Sequence, residues 1–253
     1  MTAAALLKKD VRTANRRLYD AIGSRYENID GRRDESLFRW IRKTLTQLSH
    51  RHGNGDLLDL GTGSGVVIRA AGDLFENCIA LDLSPSMLAS IRVNGAHRIA
   101  ADVDHLPFRD ESMDVITCFA VLHHLVDSER LAREVARVLR PGGVFWSDHD
   151  IELKFCRRFR GPLSLYRRLR GADRHYMDGQ SRLDRKTYDL AECRESGVDS
   201  SQTFDDFKRA NLDTTACFHW FGLTPLTNRL FSNRMFPKGW APLLRMIAVK
   251  PPR

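Results

Sequence analysis

The sequence has no long apolar run. Its longest apolar stretches, such as Val115 to Leu122, fall far short of the roughly 20 residues needed to cross a bilayer as a helix. Cysteine is sparse: Cys78, Cys118, Cys156, Cys193 and Cys217 are scattered, odd in number and without a C-x-x-C pair. That pattern offers neither a zinc site nor a disulfide framework, and reduced cytoplasmic thiols are the expectation. No internal repeat or low-complexity tract is found. The N-terminus, MTAAALLKKDVRTANRR, places its few apolar residues before its charges, the reverse of a secretory signal, so none is read there.

Acid is also short. Lys and Arg number 40 against 32 Asp and Glu, a net charge of +8. The excess is local, because Ile151 to Arg185 carries ten Lys or Arg against four Asp or Glu, a net +6. A basic patch of this kind fits a phosphorylated or carboxylated substrate, an anionic membrane surface or nucleic acid, or it is a solvated helix face.

What the chain does have is an alternation of short apolar strands and amphipathic helices. Residues 3–21 and 34–49 read as helices, the second with Leu37, Trp40, Ile41, Leu45 and Leu48 at steps of three and four. Asp56–Leu60 is a strand, Val66–Gly72 a helix and Cys78–Leu83 a strand. Ser84-Pro85 marks a helix start, with serine as N-cap and proline at the first helical position. Arg98–Ala101 is a weaker strand, and Val115–Phe119 is one with no polar alternation beyond Thr117, as expected for burial on both faces. Ser128–Leu139 is a helix, Pro141-Gly142-Gly143 a turn and Val144–Ser147 another strand. This rhythm predicts a parallel sheet covered by helices on both sides. It breaks down after Asp150, where two short basic helices split by Gly161-Pro162 precede a polar, loop-rich stretch at 171–200. Apolar character returns at Thr214–Leu223, and Leu243–Val249 reads as the last strand.

The segment Leu57-Leu58-Asp59-Leu60-Gly61-Thr62-Gly63-Ser64-Gly65 runs from an apolar strand into a glycine-rich turn and then a helix. Glycines there let a ligand approach the main chain. Asp82 ends the second strand about twenty residues on, suited to accept hydrogen bonds from two ribose hydroxyls. A nicotinamide dinucleotide and S-adenosylmethionine (SAM) both meet these conditions. The spacing G-x-G-x-G differs from the G-x-G-x-x-G of dinucleotide sites, and Asp59 would repel a pyrophosphate while favouring a cationic ligand.

The run DLGTGSG, then ALDLSPSML, then ADVDHLPFRDESMDVITCFAVLHHL, then EVARVLRPGGVFW resembles the successive motifs of class I SAM-dependent methyltransferases, over residues 56–149. The flavour is that of the ubiquinone and menaquinone biosynthesis enzymes and related small-molecule methyltransferases. The resemblance implies an α/β, Rossmann-like three-layer sandwich. Its seven-stranded sheet is mainly parallel with an antiparallel last strand, and it carries a helical N-terminal lid and a helical insertion after strand 5. It also implies SAM as cofactor. Asp59, Gly61, Gly63 and Gly65 would then line the methionine side and Asp82 the ribose. Leu83 and Met87 would pack near the adenosine, Asp102 would cap the adenine amino group beside Val103, and Phe119 and Ala120 would sit next to the sulfonium. The early stretch from Tyr19 to Tyr26 resembles the family's lid, in which an aromatic residue closes over the cofactor, Tyr26 more than Tyr19.

A sulfonium methyl is already activated, so the protein's task is to position a nucleophile in line, exclude water and, for some acceptors, remove a proton. Candidate bases are His123 and His124 after the fourth strand and Asp148 and His149, with Asp150, after the fifth. Adjacent residues on an extended strand point to opposite faces, so Asp148, His149 and Asp150 are not expected to converge on a metal, and none is assigned. His219, inside the aromatic run Cys217 to Phe221, is a pocket candidate or a packed core histidine.

The chain divides into an N-terminal lid (1–50), a SAM-binding half (51–150), a basic cap (151–210) and C-terminal strands (211–253). In the cap, Phe155, Phe159, Leu163, Tyr166 and Leu169 form an apolar stripe flanked by Arg157, Arg158, Arg160, Arg167, Arg168 and Arg170. Such helices lie on anionic membranes, wall a pocket for an acidic substrate, or cap a core. With Trp220, Phe221, Phe231, Phe236 and Trp240 they favour a small apolar or aromatic acceptor, quinol-like, lipid-like or acidic. Nucleic acid is disfavoured as a partner, there being no basic tail, no recognised RNA-binding module and no Asn-Pro-Pro-Tyr type signature after the fourth strand. An RNA or protein methyltransferase, a nicotinamide-dependent oxidoreductase and a SAM-binding protein without turnover stand as the alternatives.

Overall fold

The computed structural model describes residues 3–23, 35–164, 185–191, 197–232 and 234–253. Seven strands form one sheet in the order β3-β2-β1-β4-β5-β7-β6. They are β1 (Asp56–Leu60), β2 (Asn77–Asp82), β3 (His97–Ala100), β4 (Met113–Phe119), β5 (Leu139–Ile151), β6 (Asp213–His219) and β7 (Leu243–Val249). β1 to β5 run parallel, while β7 is antiparallel to both β5 and β6.

The parallel half forms because its strands are apolar on both faces. Leu57, Leu58, Leu60, Val115 and Ile116 are fully buried, the condition under which parallel sheets occur. One face is covered by α2 (Glu35–His52) and α3 (Val66–Ala71), which bring Leu37, Trp40, Ile41, Leu45, Val67 and Ala70 to the sheet. On the other, α5 (Glu129–Val138) and α8 (Ser200–Arg209) supply Leu131, Val135, Val138 and Phe207. Each such side chain contributes about 1.5–3 kcal/mol when fully removed from water. The expected three-layer sandwich with its antiparallel last strand is therefore present.

The local signals read from sequence hold closely. α4 (Pro85–Ser90) is capped by Ser84, whose Oγ accepts from the Met87 amide at 3.2 Å. α1 (Ala3–Ile22) buries Val11, Ala14, Leu18 and Ile22. It packs away from the main core, in a cluster with Tyr188 and Ala191 of α7 (Arg185–Ala191).

Three features differ from expectation. β5 starts at Leu139 and includes Pro141-Gly142-Gly143, which were expected as a separate turn. The pairing with β4 jumps from Met113↔Leu139 to Val115↔Val144, so most of the extra chain is absorbed as a bulge. Helix α7 occupies part of the stretch that reads as loop-rich, while α8 and α9 (Pro225–Phe231) fall where the sequence suggests no particular element. α8 escapes a periodicity test because its inner face is partly polar: Thr203 and Asp206 are buried with Phe207, and Asp206 accepts from Ser128 Oγ at 2.6 Å. The first basic helix, α6 (Leu153–Arg158), is capped at Phe159, so the break falls there, and Gly161-Pro162 lies within the helical residues 160–164 instead of splitting the two. Of the cap's stripe, Tyr166, Leu169, Arg167, Arg168 and Arg170 lie outside the described residues.

From β1 the chain moves outward to β2 and β3, then returns to the other side of β1 as β4. Strand order reverses there, and in open α/β sheets the crevice at the carboxyl ends of such strands is where ligands bind.

Candidate active site

The turn after β1 fills that crevice. Gly61 has φ +60°, and a Cβ there would stand 2.5 Å from Val121 Cγ2, so no side chain fits. The Thr62 amide donates to Leu81 O at 3.0 Å. Asp82 holds the same loop from the tip of β2: its Oδ2 accepts from the Gly63 amide at 2.9 Å and its Oδ1 from the Ser84 amide at 2.8 Å. Burial nevertheless raises its pKa. Each oxygen keeps a second lone pair, the capacity that two ribose hydroxyls require.

Asp59 lies at the centre of the sheet, 1% exposed. Its Oδ1 accepts from Thr117 Oγ1 at 2.7 Å, and its Oδ2 has no hydrogen-bond partner among the described residues. Burial, reinforced by Asp82 and opposed by the Thr62 and Thr117 hydroxyls, pushes its carboxyl up to about 7. A buried carboxyl with an unused oxygen is suited to a cation.

Met87 is buried in α4, and Leu83 lines a cavity with Arg12, Thr13, Arg16, Arg17 and Asp20 of α1. Val103 packs against the core. Asp102 is already engaged: its Oδ1 accepts from the Asp104 amide at 3.0 Å, and Arg12 Nε stands 2.6 Å from its Oδ2. Helix α1 therefore reaches the carboxylate expected at the adenine. It is also tied to the crevice by Ser84 Oγ, which donates to Asp20 Oδ1 at 2.6 Å. Tyr26 lies outside the described residues; Tyr19 Oη meets His124 Nε2 at 3.1 Å.

The ends of β4 and β5 carry two Asp–His pairs. In one, Asp150 is fully buried and its Oδ1 accepts from both the amide and Nδ1 of His123, at 3.0 and 2.7 Å. The His123 ring lies 3.9 Å from that of His124, whose Nδ1 meets Ala191 O at 3.1 Å.

The other pair forms a hub. Asp148 Oδ1 accepts from His149 Nδ1 and from His219 Nε2, both at 2.8 Å, while its Oδ2 accepts from Arg245 Nε at 2.8 Å. Burial alone would raise the Asp148 pKa, but the field of His219 and the hydrogen bonds from His149 and His219 outweigh it, holding the carboxyl well below its usual range. An ionised carboxylate only accepts. His149 Nδ1 and His219 Nε2 are therefore the donors in these two pairs, and the second ring nitrogen of His149, Nε2, faces Gly222. Arg245 in turn lies 4.5 Å over the Trp40 ring.

His149 corrects the expectation from strand alternation. Its φ is +68°, within the register shift of β5 against β7 between Ser147 and Asp150. The bulge re-aims one residue, so Asp148 and His149 converge with His219 while Asp150 turns to His123. Asp148, His149 and His219 offer ligand atoms within 4.8 Å of one another, a grouping compatible with a metal ion. The His149 ring stacks on Phe119 at 4.4 Å and lies 5.3 Å from Trp40. Gly222, at φ +93°, leaves it room: a Cβ there would sit 2.1 Å from His149 Nε2. Ala120, at φ +57°, donates its amide to Asp148 O at 2.8 Å, joining Phe119 to this hub.

Sequence reading singled out Asp148, His149, His123 and His124 but not the partners that orient them. Arg245 and Gly222 have no local motif, Trp40 read only as core, and His219 stood between pocket and core. Their relation is set by chain separations of 71 residues for His219 and 97 for Arg245. The four described cysteines are free thiols.

Residues 58–147 match the methyltransferase domain family. The chain is 36% identical over 146 residues to the demethylmenaquinone methyltransferase of Mycobacterium sp. strain KMS, an alignment covering 56% of this chain and 61% of that protein. It thus spans about three-fifths of the length of the curated relatives it matches. Among solved structures, a SAM-dependent methyltransferase from Thermotoga maritima superposes with a TM-score of 0.60 at 14% identity, covering 93% of this chain and 99% of that one. The [4+2]-cyclase SpnF superposes with a TM-score of 0.59 at 15% identity, covering 94% and 95%. At these identities the likeness is one of fold. Residues 58–147 therefore match a methyltransferase domain on a class I, Rossmann-like fold, and that similarity implies S-adenosylmethionine as the cofactor. The residues present fit that group: the unused oxygen of Asp59, the spare lone pairs of Asp82 and the side-chain-free approach at Gly61 all lie in the one crevice.

Proposed function

Proceeding from a class I methyltransferase domain at residues 58–147, we propose that the protein transfers a methyl group in line from SAM to a small apolar or aromatic acceptor, quinol-like, lipid-like or acidic. The observation that carries this reading is the His149 hub beside Phe119. When bound, the cofactor supplies a sulfonium methyl already activated for transfer. Asp59 and the glycine turn would hold its methionine end, Asp82 its ribose, Asp102 with Val103, Leu83 and Met87 its adenine side, and Phe119 and Ala120 the edge nearest the acceptor. Tyr26 would close over it.

His149 Nε2 serves as general base for the acceptor's proton. Asp148 fixes the tautomer that makes Nε2 the basic atom and stabilises the imidazolium that forms, the role a buried carboxylate plays beside a catalytic histidine. Trp40, Phe119 and Phe221 are apolar walls that exclude water there; Phe221 lies 5.5 Å from Trp40. The His123–Asp150 pair, with His124, is a second proton-handling site at the same edge. The name of the Mycobacterium relative, a demethylmenaquinone methyltransferase, supports a quinol-like acceptor. Residues 1–50 act as lid, 51–150 as cofactor half, 151–210 as basic cap and 211–253 as the completing strands. The protein works in the cytoplasm, with peripheral contact to an anionic membrane.

The test is a methyl-transfer screen with labelled SAM against quinols, phenolic acids, lipids and RNA. With the acceptor found, His149→Ala lowers turnover by about 10²–10⁴-fold while leaving SAM affinity unchanged. Undiminished turnover in that variant sinks the assignment of the base, and SAM binding without transfer to any acceptor sinks the enzyme reading.

A further inference from the structure

Exposed large apolar side chains are unevenly distributed. Six are found among the described residues, and four of them, Leu226, Leu230, Met235 and Trp240, fall within the connection between β6 and β7, at 65%, 59%, 47% and 54% exposure. Leu226 and Leu230 stand four apart on α9 and so share a face. The helix is fixed by a capping box between Thr224 and Thr227. Beneath it, Trp220 and Phe231 lie 5.3 Å apart and Phe231 and Phe236 5.4 Å apart, so the exposed leucines ride on a packed aromatic layer.

This tip is continuous with the basic helix that follows β5. Arg158 lies 4.3 Å over the Trp240 ring, Phe155 packs edge-on to Trp220 at 5.2 Å, and Trp220 Nε1 donates to Trp240 O at 3.1 Å. Across residues 153–164 and 220–240 there are seven Lys or Arg and no Asp or Glu.

The sheet register fixes where the tip sits. His219 and Ile151 both pair with Leu243, so β6 and β5 end at the same edge. The parallel pairing of β5 with β4 and of β4 with β1 puts the glycine turn, Phe119 and His149 at that edge too. From the tip, Phe221 leads to Trp40 and Trp40 to His149, at 5.5 and 5.3 Å.

We infer that this face docks on an anionic lipid bilayer, with Leu226, Leu230, Met235 and Trp240 entering the acyl boundary and the surrounding arginines and lysines meeting lipid phosphates. Contiguous apolar exposure marks an interaction surface, and an apolar tip within a basic collar matches the layered chemistry of a charged membrane. A second copy of the chain fits poorly: a two-fold interface would set this collar against its own like charges. Nucleic acid would meet the charges but leave the leucines unmatched. The purpose of the docking rests on the proposed apolar acceptor, which would pass from the bilayer to the edge that holds His149; the binding itself does not depend on turnover.

The test is co-sedimentation of the full chain with vesicles of phosphatidylcholine alone and with about 30% phosphatidylglycerol added. The wild type is expected to pellet with the anionic vesicles at low salt and to be released as salt rises. The double variant Leu226→Glu, Leu230→Glu is expected to lose at least about tenfold in partitioning, with SAM affinity by calorimetry unchanged as proof of fold. Docking is overturned if the wild type stays in the supernatant with both vesicles or if the double variant partitions like the wild type. A dimer that the double variant dissolves, or RNA that strips the wild type from vesicles while binding the variant equally, overturns it in favour of those partners. Loss of the methyltransferase reading with vesicle binding intact would leave this surface standing.

Discussion

The two halves of the sheet build their candidate sites by different means. On the side of β1 to β4, the backbone does most of the work, through a turn whose glycines sit in left-handed conformations, with Asp59 inside β1 and Asp82 at the end of β2. Such a site needs consecutive residues, so it is compact in the chain. On the side of β5 to β7, side chains do the work, and they arrive from far apart. Asp148 collects His149 from the next position, His219 from β6 and Arg245 from β7. The comparison teaches that a site made of main chain shows as a motif, whereas one made of converging side chains shows only once the strands are paired.

The sharpest way to break this contrast is at Asp82. Asp82→Ala frees the Gly63 and Ser84 amides at once and removes the proposed ribose acceptor, so SAM binding by calorimetry should fall by about 100-fold or more, with the circular dichroism spectrum unchanged. Unchanged affinity would mean that the parallel half is not where the cofactor is held.

The other half is tested at Gly222. A methyl at that position meets His149 Nε2 at 2.1 Å, on a backbone that already favours glycine. Gly222→Ala should cost about 1–3 kcal/mol in thermal unfolding and cut turnover about tenfold or more, while SAM affinity stays as in the wild type. A fall in both would show that the two halves are coupled through His149.

The smallest effect lies in pH. With its carboxyl raised to about 7, Asp59 is largely protonated below that value in the free protein. A cationic ligand end requires the charged form, so SAM affinity should fall as pH drops through about 7, approaching tenfold per unit, with proton release on binding. The free protein shows the opposite trend. A folded-state value above the ordinary 3.8 means that the Asp59 contribution to stability falls as pH rises from about 4 to about 7, then levels. Calorimetry in buffers of different ionisation enthalpy reads the first, and melting curves between pH 5 and 8, alongside Asp59→Asn, read the second. A pH-independent affinity would place the cation away from Asp59.

Much of the fold was legible because its determinants are local. Strand β1 and the Ser84 cap fall where the residues imply, since an apolar run and a Ser-Pro pair act on their own neighbourhood. Helix α8 was not, because its inward Asp206 is buried on a hydrogen bond to Ser128 rather than on apolar contact. At the candidate site, alternation along β5 gave the wrong geometry for Asp148 and His149. The left-handed bulge that aligns them depends on pairing with β7 and on the absence of a side chain at Gly222, neither of which a single strand reveals.

The contact between Arg12 and Asp102 bears on the cofactor site. If Asp102 is to receive the adenine amino group, it shares its carboxylate between that group and a guanidinium. Cofactor binding and the seating of the first helix would then bear on the same side chain. Because the Arg12 side chain is 39% exposed, ionic strength loosens its hold, and salt would reach the tie between the first helix and the crevice.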